Sequence, residues 1–181
     1  MNSSNQRRVG FLVGALAVFL LVVAQDVAIG DHVPGAPPAD VALKGVPLAM
    51  TPHQQPPQFS MQLRDDVKFS RGVGILRRQG KDVEYTFSWM GLTSPVTSAH
   101  FHKAPHGTAS KVGARGYSIC GVPGESPACP KGTTARISGV WKNADIEAFE
   151  KGEITVAFHT EVYPAPIGEL GLYLAQVSPK R

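Results

Sequence analysis

Three histidines stand in strand-like runs of the sequence. In the run AHFH, one residue separates His100 from His102, and His159 follows the apolar run ITVAF. Because side chains alternate between the two faces of a β-strand, His100 and His102 point to one face and Phe101 points to the other. By the same alternation, His159 lies on the face opposite Phe158. We therefore expect the three imidazoles on a sheet face turned away from the core.

Imidazoles in this arrangement can bind a transition-metal ion. Residues two apart on a strand are separated by about 6.6 Å, and side chains that tilt toward each other can share an ion at nitrogen distances of about 2.0–2.1 Å. A third imidazole from a neighbouring strand would complete a trigonal base. Without a cysteine or methionine ligand, such a set favours copper(II) or zinc over copper(I) or an iron–sulfur cluster.

Further candidate ligands stand near the histidines. His106 follows a turn at Pro105 and could fold back as a fourth ligand, while Glu161 and Glu169 are the nearest acidic alternatives. The metal prediction requires the two histidine-bearing strands to be neighbours, which the sequence leaves open. If they are not, the histidines are ordinary solvated side chains.

Short alternating runs predict the sheets that must position these side chains. The clearest is VEYTFSW, in which Val83, Tyr85, Phe87 and Trp89 share one face. Similar runs bounded by glycine, proline, aspartate or asparagine are FSMQL, GVGILRR, TSAHFHK, RGYSI, TARIS, EITVAFHT and ELGLYLAQV. Roughly seven or eight such strands predict an all-β protein, an antiparallel β-sandwich or barrel.

One short helix and one loop interrupt the predicted strands. The helix is NADIEAFEKG, with Asn143 or Asp145 as its N-cap and Gly152 as its end. The loop SICGVPGESPACPKG holds Cys120 and Cys129, which in an oxidising compartment are expected to form a disulfide that closes it. The sequence contains no internal repeat and no sign of a second folded domain.

The N-terminus indicates export. Two arginines precede an uncharged, mostly apolar run, a pattern typical of a signal peptide over residues 1–24 or of an uncleaved signal-anchor. Residues 25–57 are rich in proline and predict a flexible linker, and residues 58–178 form the predicted folded domain. We expect an extracytoplasmic protein, periplasmic or secreted, that contacts a membrane only if the N-terminal segment is retained.

Charge and motifs exclude several function classes. The formal net charge of +4 falls to +2 when residues 1–24, with two arginines and no acidic residue, are removed. No cluster of basic and aromatic residues follows, so we expect no nucleic-acid partner. The sequence lacks a phosphate-binding glycine-rich loop, a nucleophile elbow and an HExxH helix, and no catalytic residue is assigned.

Two segments of the chain are GLTSPVTSAHFHKAPHG and FEKGEITVAFHTEVYPAPIGELGLYL. Together they resemble the CHRD domain, a module named from chordin and common in exported bacterial proteins, and the resemblance extends over roughly residues 58–177. Leu170 stands where the family usually has arginine, and the loop around the cysteines looks like an insertion. The motifs in register are Gly91-Leu92, Ala99–His102, Gly152, His159-Thr160 and Gly168-Glu169 with Gly171. The resemblance implies an immunoglobulin-like or related β-sandwich with a binding rather than a catalytic role.

A looser resemblance connects AHFHKAP and AFHTEV with two strands of the copper/zinc superoxide dismutases, which are disulfide-bonded Greek-key sandwiches. This similarity implies copper or zinc at the histidines. The histidine-rich zinc loop of those enzymes has no counterpart in this sequence. Arg115 and Arg136 are only loose candidates for their anion-guiding arginine.

Three functions are compatible with these observations. The first is an exported, non-catalytic CHRD-domain binding protein that holds copper or zinc, or a protein partner in the cell envelope, on its histidine face. The alternatives are a divergent superoxide dismutase-like enzyme and an envelope protein-interaction domain without metal. Glu169 and Glu161 would orient a histidine from outside the ligand set or replace a ligand, and Glu169 could instead cap a turn.

Overall fold

Alternating apolar residues build two antiparallel sheets. The structure, a computed structural model, describes residues 42–54, 62–103 and 114–173. The strands of this part of the chain are β1 Lys44–Met50, β2 Arg71–Gln79, β3 Asp82–Met90, β4 Val96–Lys103, β5 Ala114–Cys120, β6 Ala135–Trp141, β7 Ile154–Thr160 and β8 Leu170–Tyr173. The first sheet has the order β1-β2-β3-β6 and the second has the order β5-β4-β7-β8. The prediction of an all-β antiparallel sandwich is confirmed.

Several predicted features fall outside the described residues. They are the signal peptide over residues 1–24, much of the linker over 25–57, and the turn that carries His106. Within the described ranges, no helix has both the length and the apolar character needed to cross a membrane.

The core lies between the two sheets. On β3, Val83, Tyr85, Phe87 and Trp89 are all buried, as the alternation of VEYTFSW predicts. The ring of Phe158 on β7 meets Phe87 and Trp89, with 5.3 Å between ring centroids in each pair. Tilted and edge-on aromatic pairs at this spacing are favourable and add to the burial of apolar area. The inward-facing side of β7 therefore packs in the core.

Strand β1 lies within the proline-rich segment 25–57 that predicts a flexible linker. Leu48 and Met50 are 2% and 1% exposed and pack in the core, and the strand pairs antiparallel with β2. Pro47 is exposed on this edge strand, where its missing N–H costs little, and the pairing shifts register just before it. The burial of Leu48 and Met50 stabilises the strand by more than Pro47 destabilises it. The fold therefore begins earlier than its predicted start.

Two short helices lie outside the sheets. Helix α1, Ile146–Glu150, begins at Asp145, whose carboxylate accepts a hydrogen bond from the Ala148 N–H at 3.0 Å. It ends before Gly152, whose φ of 70° lies in the left-handed region, so the predicted helix is confirmed. A 3₁₀ helix, Asp65–Phe69, was not predicted. It follows the FSMQL run, of which the structure describes only the last two residues, neither in a strand.

The disulfide loop follows β5. Cys120 and Cys129 form the predicted disulfide, with their Cα atoms 4.9 Å apart. Gly121 starts the loop with a φ of 83°, and a Cβ at this position would meet the Thr97 carbonyl oxygen at 2.0 Å. Only glycine permits this approach. The loop is therefore packed against the start of β4, the strand that carries two of the histidines.

Candidate metal centre

Pairing between β4 and β7 brings three histidines together. Ser98 pairs with His159 and His100 pairs with Ala157, so the histidine-bearing strands are direct neighbours. The ring centroid of His100 lies 5.7 Å from that of His102 and 5.3 Å from that of His159. One ring nitrogen from each of the three residues lies within 4.8 Å of the others. The condition that the sequence left open is therefore met.

This histidine cluster, made of His100, His102 and His159, is buried. Its members are 7%, 9% and 2% exposed, respectively. They lie on the face opposite Phe101 and Phe158, as the alternation predicts, but this outer face is covered rather than open to solvent. Their burial distinguishes them from solvated histidines on the wet side of a sheet.

The orientation of His159 is set by the segment between β7 and β8. Its Nδ1 lies 3.0 Å from the carbonyl oxygen of Ile167. Because a carbonyl oxygen only accepts hydrogen bonds, Nδ1 must be the protonated nitrogen, and Nε2 keeps its lone pair. This Nε2 atom is buried and has no hydrogen-bond partner within the described residues. A backbone oxygen that orients an imidazole in this way is a common companion of a metal ligand.

His100 is the least satisfied member of the histidine cluster. Both of its ring nitrogens are buried without a hydrogen-bond partner in the described part of the chain. A buried polar atom without a partner costs about 1–3 kcal/mol of stability. A bound metal ion would accept the lone pair of one ring nitrogen and offset part of this cost. The donor set therefore fits a metal that prefers imidazole ligands.

Burial keeps these imidazoles in the form that binds metals. It lowers the pKa of His100 to about 4, with further contributions from His159, His102 and Arg115. Burial also lowers the pKa of His159, against the opposing effect of its hydrogen bond to Ile167. Both imidazoles are therefore neutral near pH 7, where an incoming ion has no proton to displace from them.

The spacing of the ligand nitrogens requires a small adjustment around an ion. Nitrogens bound to a tetrahedral ion at about 2.0–2.1 Å are about 3.4 Å apart, whereas the separations in the histidine cluster extend to 4.8 Å. Binding of an ion would therefore require the three ring nitrogens to move closer together. Three histidine ligands leave at least one position of the ion for a further ligand.

Glu169, predicted to support or replace a ligand, lies in a separate polar cluster. Its carboxylate is fully buried and accepts hydrogen bonds from the Ser70 hydroxyl at 2.6 Å and from the Thr160 hydroxyl at 2.8 Å. The N–H and the hydroxyl of Thr93 each donate at 2.6 Å. Glu169 and these three residues, here called the Glu169 cluster, connect the start of β2, the turn after β3 and the end of β7. None of these donors is a histidine.

The sequence did not reveal the partners of Glu169. Ser70 and Thr93 are far from Glu169 along the chain, and hydroxyl residues beside turns are too common to single them out. Only Thr160 could have been identified as a partner from the sequence, because it ends β7 and follows His159 directly. Alternation alone placed its side chain on the inner face, where a hydroxyl needs a partner.

The other candidate residues differ in where they lie relative to the histidine cluster. Glu161 is exposed, and His106 lies outside the described residues. Arg136 is exposed on β6 in the first sheet. Arg115 lies on β5, where it pairs with His102 across the strands. Of the two arginines, only Arg115 is beside the candidate site.

The described strands correspond to a known protein family. The family model of the CHRD domain matches residues 49–171, more than half of the chain. The chain belongs to the CHRD domain family. The matched region runs from the end of β1 into β8, so the histidine cluster and Glu169 are parts of the CHRD domain itself. Searches of curated proteins and of solved structures find no match, and the likeness to superoxide dismutases rests on two strand segments alone.

Proposed function

We propose that this CHRD domain is an exported, non-catalytic binding protein that holds one copper(II) or zinc ion through His100, His102 and His159. The observation that carries the proposal is the Nε2 atom of His159. It is buried and held in its ligand form by the Ile167 carbonyl oxygen. One ring nitrogen of His159 lies within 4.8 Å of a ring nitrogen of each of the other two histidines.

The burial of the three histidines favours ion binding rather than catalysis. A catalytic metal needs an open position that a substrate can reach. The three ligands are at most 9% exposed, so the ion would be largely enclosed by protein. Enclosure by neutral imidazoles slows exchange of the ion, as a storage or structural role requires.

Two features support an extracytoplasmic location. The N-terminal residues have the pattern of an export signal. The disulfide between Cys120 and Cys129 suits an oxidising compartment, because reducing systems in the cytosol oppose such bonds. In the periplasm or outside the cell, the domain would meet copper and zinc directly.

The test is a measurement of metal content and affinity on the full-length exported protein. Copper and zinc are quantified by mass spectrometry after purification, and each is then titrated into the metal-free protein. The variants are His100→Asn, His159→Asn and the triple His100→Asn/His102→Asn/His159→Asn variant. His53→Asn is the matched control, because His53 is exposed on the segment after β1.

The proposal predicts one ion per chain in the wild type and in the His53 control. It predicts loss of that ion in the triple variant and in each single variant. Circular dichroism in the near ultraviolet checks that the variants keep their packed aromatic core. A wild-type protein that binds copper and zinc no more tightly than the folded triple variant would contradict the proposal.

A further inference from the structure

The disulfide loop brings one acidic side chain to the edge of the histidine cluster. Glu125 lies inside the loop closed by Cys120 and Cys129. One of its carboxylate oxygens accepts a hydrogen bond from the Arg115 guanidinium at 2.9 Å. The other accepts a hydrogen bond from the Ser118 hydroxyl at 3.0 Å. Besides the disulfide at Cys120, one carboxylate therefore connects the loop to two residues of β5.

Both partners of Glu125 stand opposite the metal-binding histidines. In the pairing of β5 with β4, Ser118 faces His100 and Arg115 faces His102. Because directly paired residues of antiparallel strands have their side chains on the same face of the sheet, the positive charge of Arg115 lies beside His102. A fixed cation beside a site for a divalent cation weakens binding, unless a negative charge balances it.

The loop holds Glu125 in place through its own hydrogen bonds as well as the disulfide. The N–H of Glu125 donates to the Val122 carbonyl at 3.1 Å, and the N–H of Ser126 donates to the same oxygen at 3.0 Å. The Ser126 hydroxyl accepts from the Val122 N–H at 3.1 Å. At the base of the loop, the Gly121 N–H donates to the Pro127 carbonyl at 2.8 Å. The carboxylate is thus positioned before any ion arrives.

We propose that Glu125 sets the affinity of the histidine cluster for a divalent cation by balancing the charge of Arg115. This inference rests on the proposed function, because it concerns the same ion. It assigns a role to the cysteine-closed loop, which the histidines alone do not explain. The loop supplies the negative charge that an all-imidazole ligand set lacks.

The experiment measures zinc affinity by competition with a chromophoric chelator, at low ionic strength, on the full-length protein. Glu125→Gln is expected to bind zinc about three- to tenfold more weakly than wild type, because Arg115 is then unbalanced. Arg115→Gln is expected to bind zinc more tightly by a similar factor, and the double variant is expected to return near the wild-type value. The matched control is Glu150→Gln, since Glu150 also forms an exposed ion pair, with Arg78 at 3.0 Å.

Salt separates a charge effect from a structural one. Raising the ionic strength should shrink the difference between wild type and Glu125→Gln, because the ion pair is partly exposed and therefore screened. If Glu125 only anchored the loop, Arg115→Gln would not rescue the Glu125→Gln variant, and that result would overturn the inference. If Glu125→Gln fails to fold, the zinc affinity of Arg115→Gln alone tests the inference. A zinc affinity of Arg115→Gln equal to that of the wild type would then overturn it.

The outcome distinguishes this inference from the proposed function. Zinc binding that is equal in wild type, Glu125→Gln and Arg115→Gln refutes the charge-balancing role and leaves the metal site standing. A wild-type protein that binds neither zinc nor copper refutes the metal site and the inference with it.

Discussion

Two buried polar clusters lie at the end of β7, and their hydrogen bonding differs. The carboxylate of Glu169 accepts four hydrogen bonds from Ser70, Thr93 and Thr160. On the opposite face of the strand, His159 Nε2 and both ring nitrogens of His100 have no hydrogen-bond partner within the described residues. Buried polar atoms cost free energy unless they are paired. The hydrogen bonding of the Glu169 cluster is therefore complete as folded, whereas the histidine cluster has buried nitrogens that could bind a metal ion.

The comparison explains why His159 and Thr160 stand next to each other. Successive side chains of β7 point to opposite faces, so His159 belongs to the histidine cluster on the outer face and Thr160 belongs to the Glu169 cluster on the inner face. The Glu169 cluster fixes the end of β7 against β2 and the turn after β3. It thereby fixes the backbone next to His159. In the proposed function, the Glu169 cluster stabilises the end of β7 and the histidine cluster would bind the ion.

The largest expected effect is on stability, from the Glu169 cluster. Glu169→Ala removes the acceptor of four hydrogen bonds, two of them from buried and two from partly buried donors, and is expected to destabilise the metal-free protein by about 3–5 kcal/mol. Glu169→Gln keeps the shape of the side chain and should cost less. By contrast, His100→Asn should change the stability of metal-free protein by only about 1 kcal/mol, because within the described residues it replaces one buried polar group without a hydrogen-bond partner by another and breaks no hydrogen bond. Chemical denaturation of the three variants measures both differences. Equal losses for Glu169→Ala and His100→Asn would remove the distinction between the clusters.

A smaller effect is expected when metal is added. At a free zinc concentration a hundred times the dissociation constant, binding should stabilise the wild-type protein by about 2.7 kcal/mol. The same zinc concentration should leave the stability of His159→Asn unchanged. It should stabilise folded Glu169→Gln as much as wild type, because no zinc ligand is altered there. Denaturation with and without zinc gives these values, and zinc stabilisation of His159→Asn would show that the ion binds elsewhere.

A further effect concerns pH and isolates the burial of His100. Its pKa is lowered to about 4 in the folded protein, whereas a histidine in an unfolded chain titrates near 6.5. Between these values the unfolded state binds more protons than the folded state, so the stability of the metal-free protein falls as the pH drops from about 6.5 to about 4. Denaturation midpoints measured across this window should fall less steeply for His100→Gln than for wild type. Identical slopes would indicate that His100 is not buried in its neutral form.

Alternation in the sequence was sufficient to predict most of the fold. It placed Val83, Tyr85, Phe87 and Trp89 in the core, and it turned the histidines away from Phe101 and Phe158, as the structure shows. The helix and the disulfide between Cys120 and Cys129 also followed from local signals. The edge strand β1 did not, because prolines that predict a linker are also tolerated at a sheet edge.

The sequence by itself determined which face of its strand each histidine occupies, because side-chain alternation is a property of the backbone of each strand. It also determined the closed loop in which Glu125 lies. Only the tertiary structure decided that β4 and β7 are neighbours, that their outer face is covered, and that Glu169 meets hydroxyl groups rather than the histidines. These are contacts between residues distant in the chain. The packing of the two sheets selects them through the free energy of burying apolar surface, which no local pattern specifies.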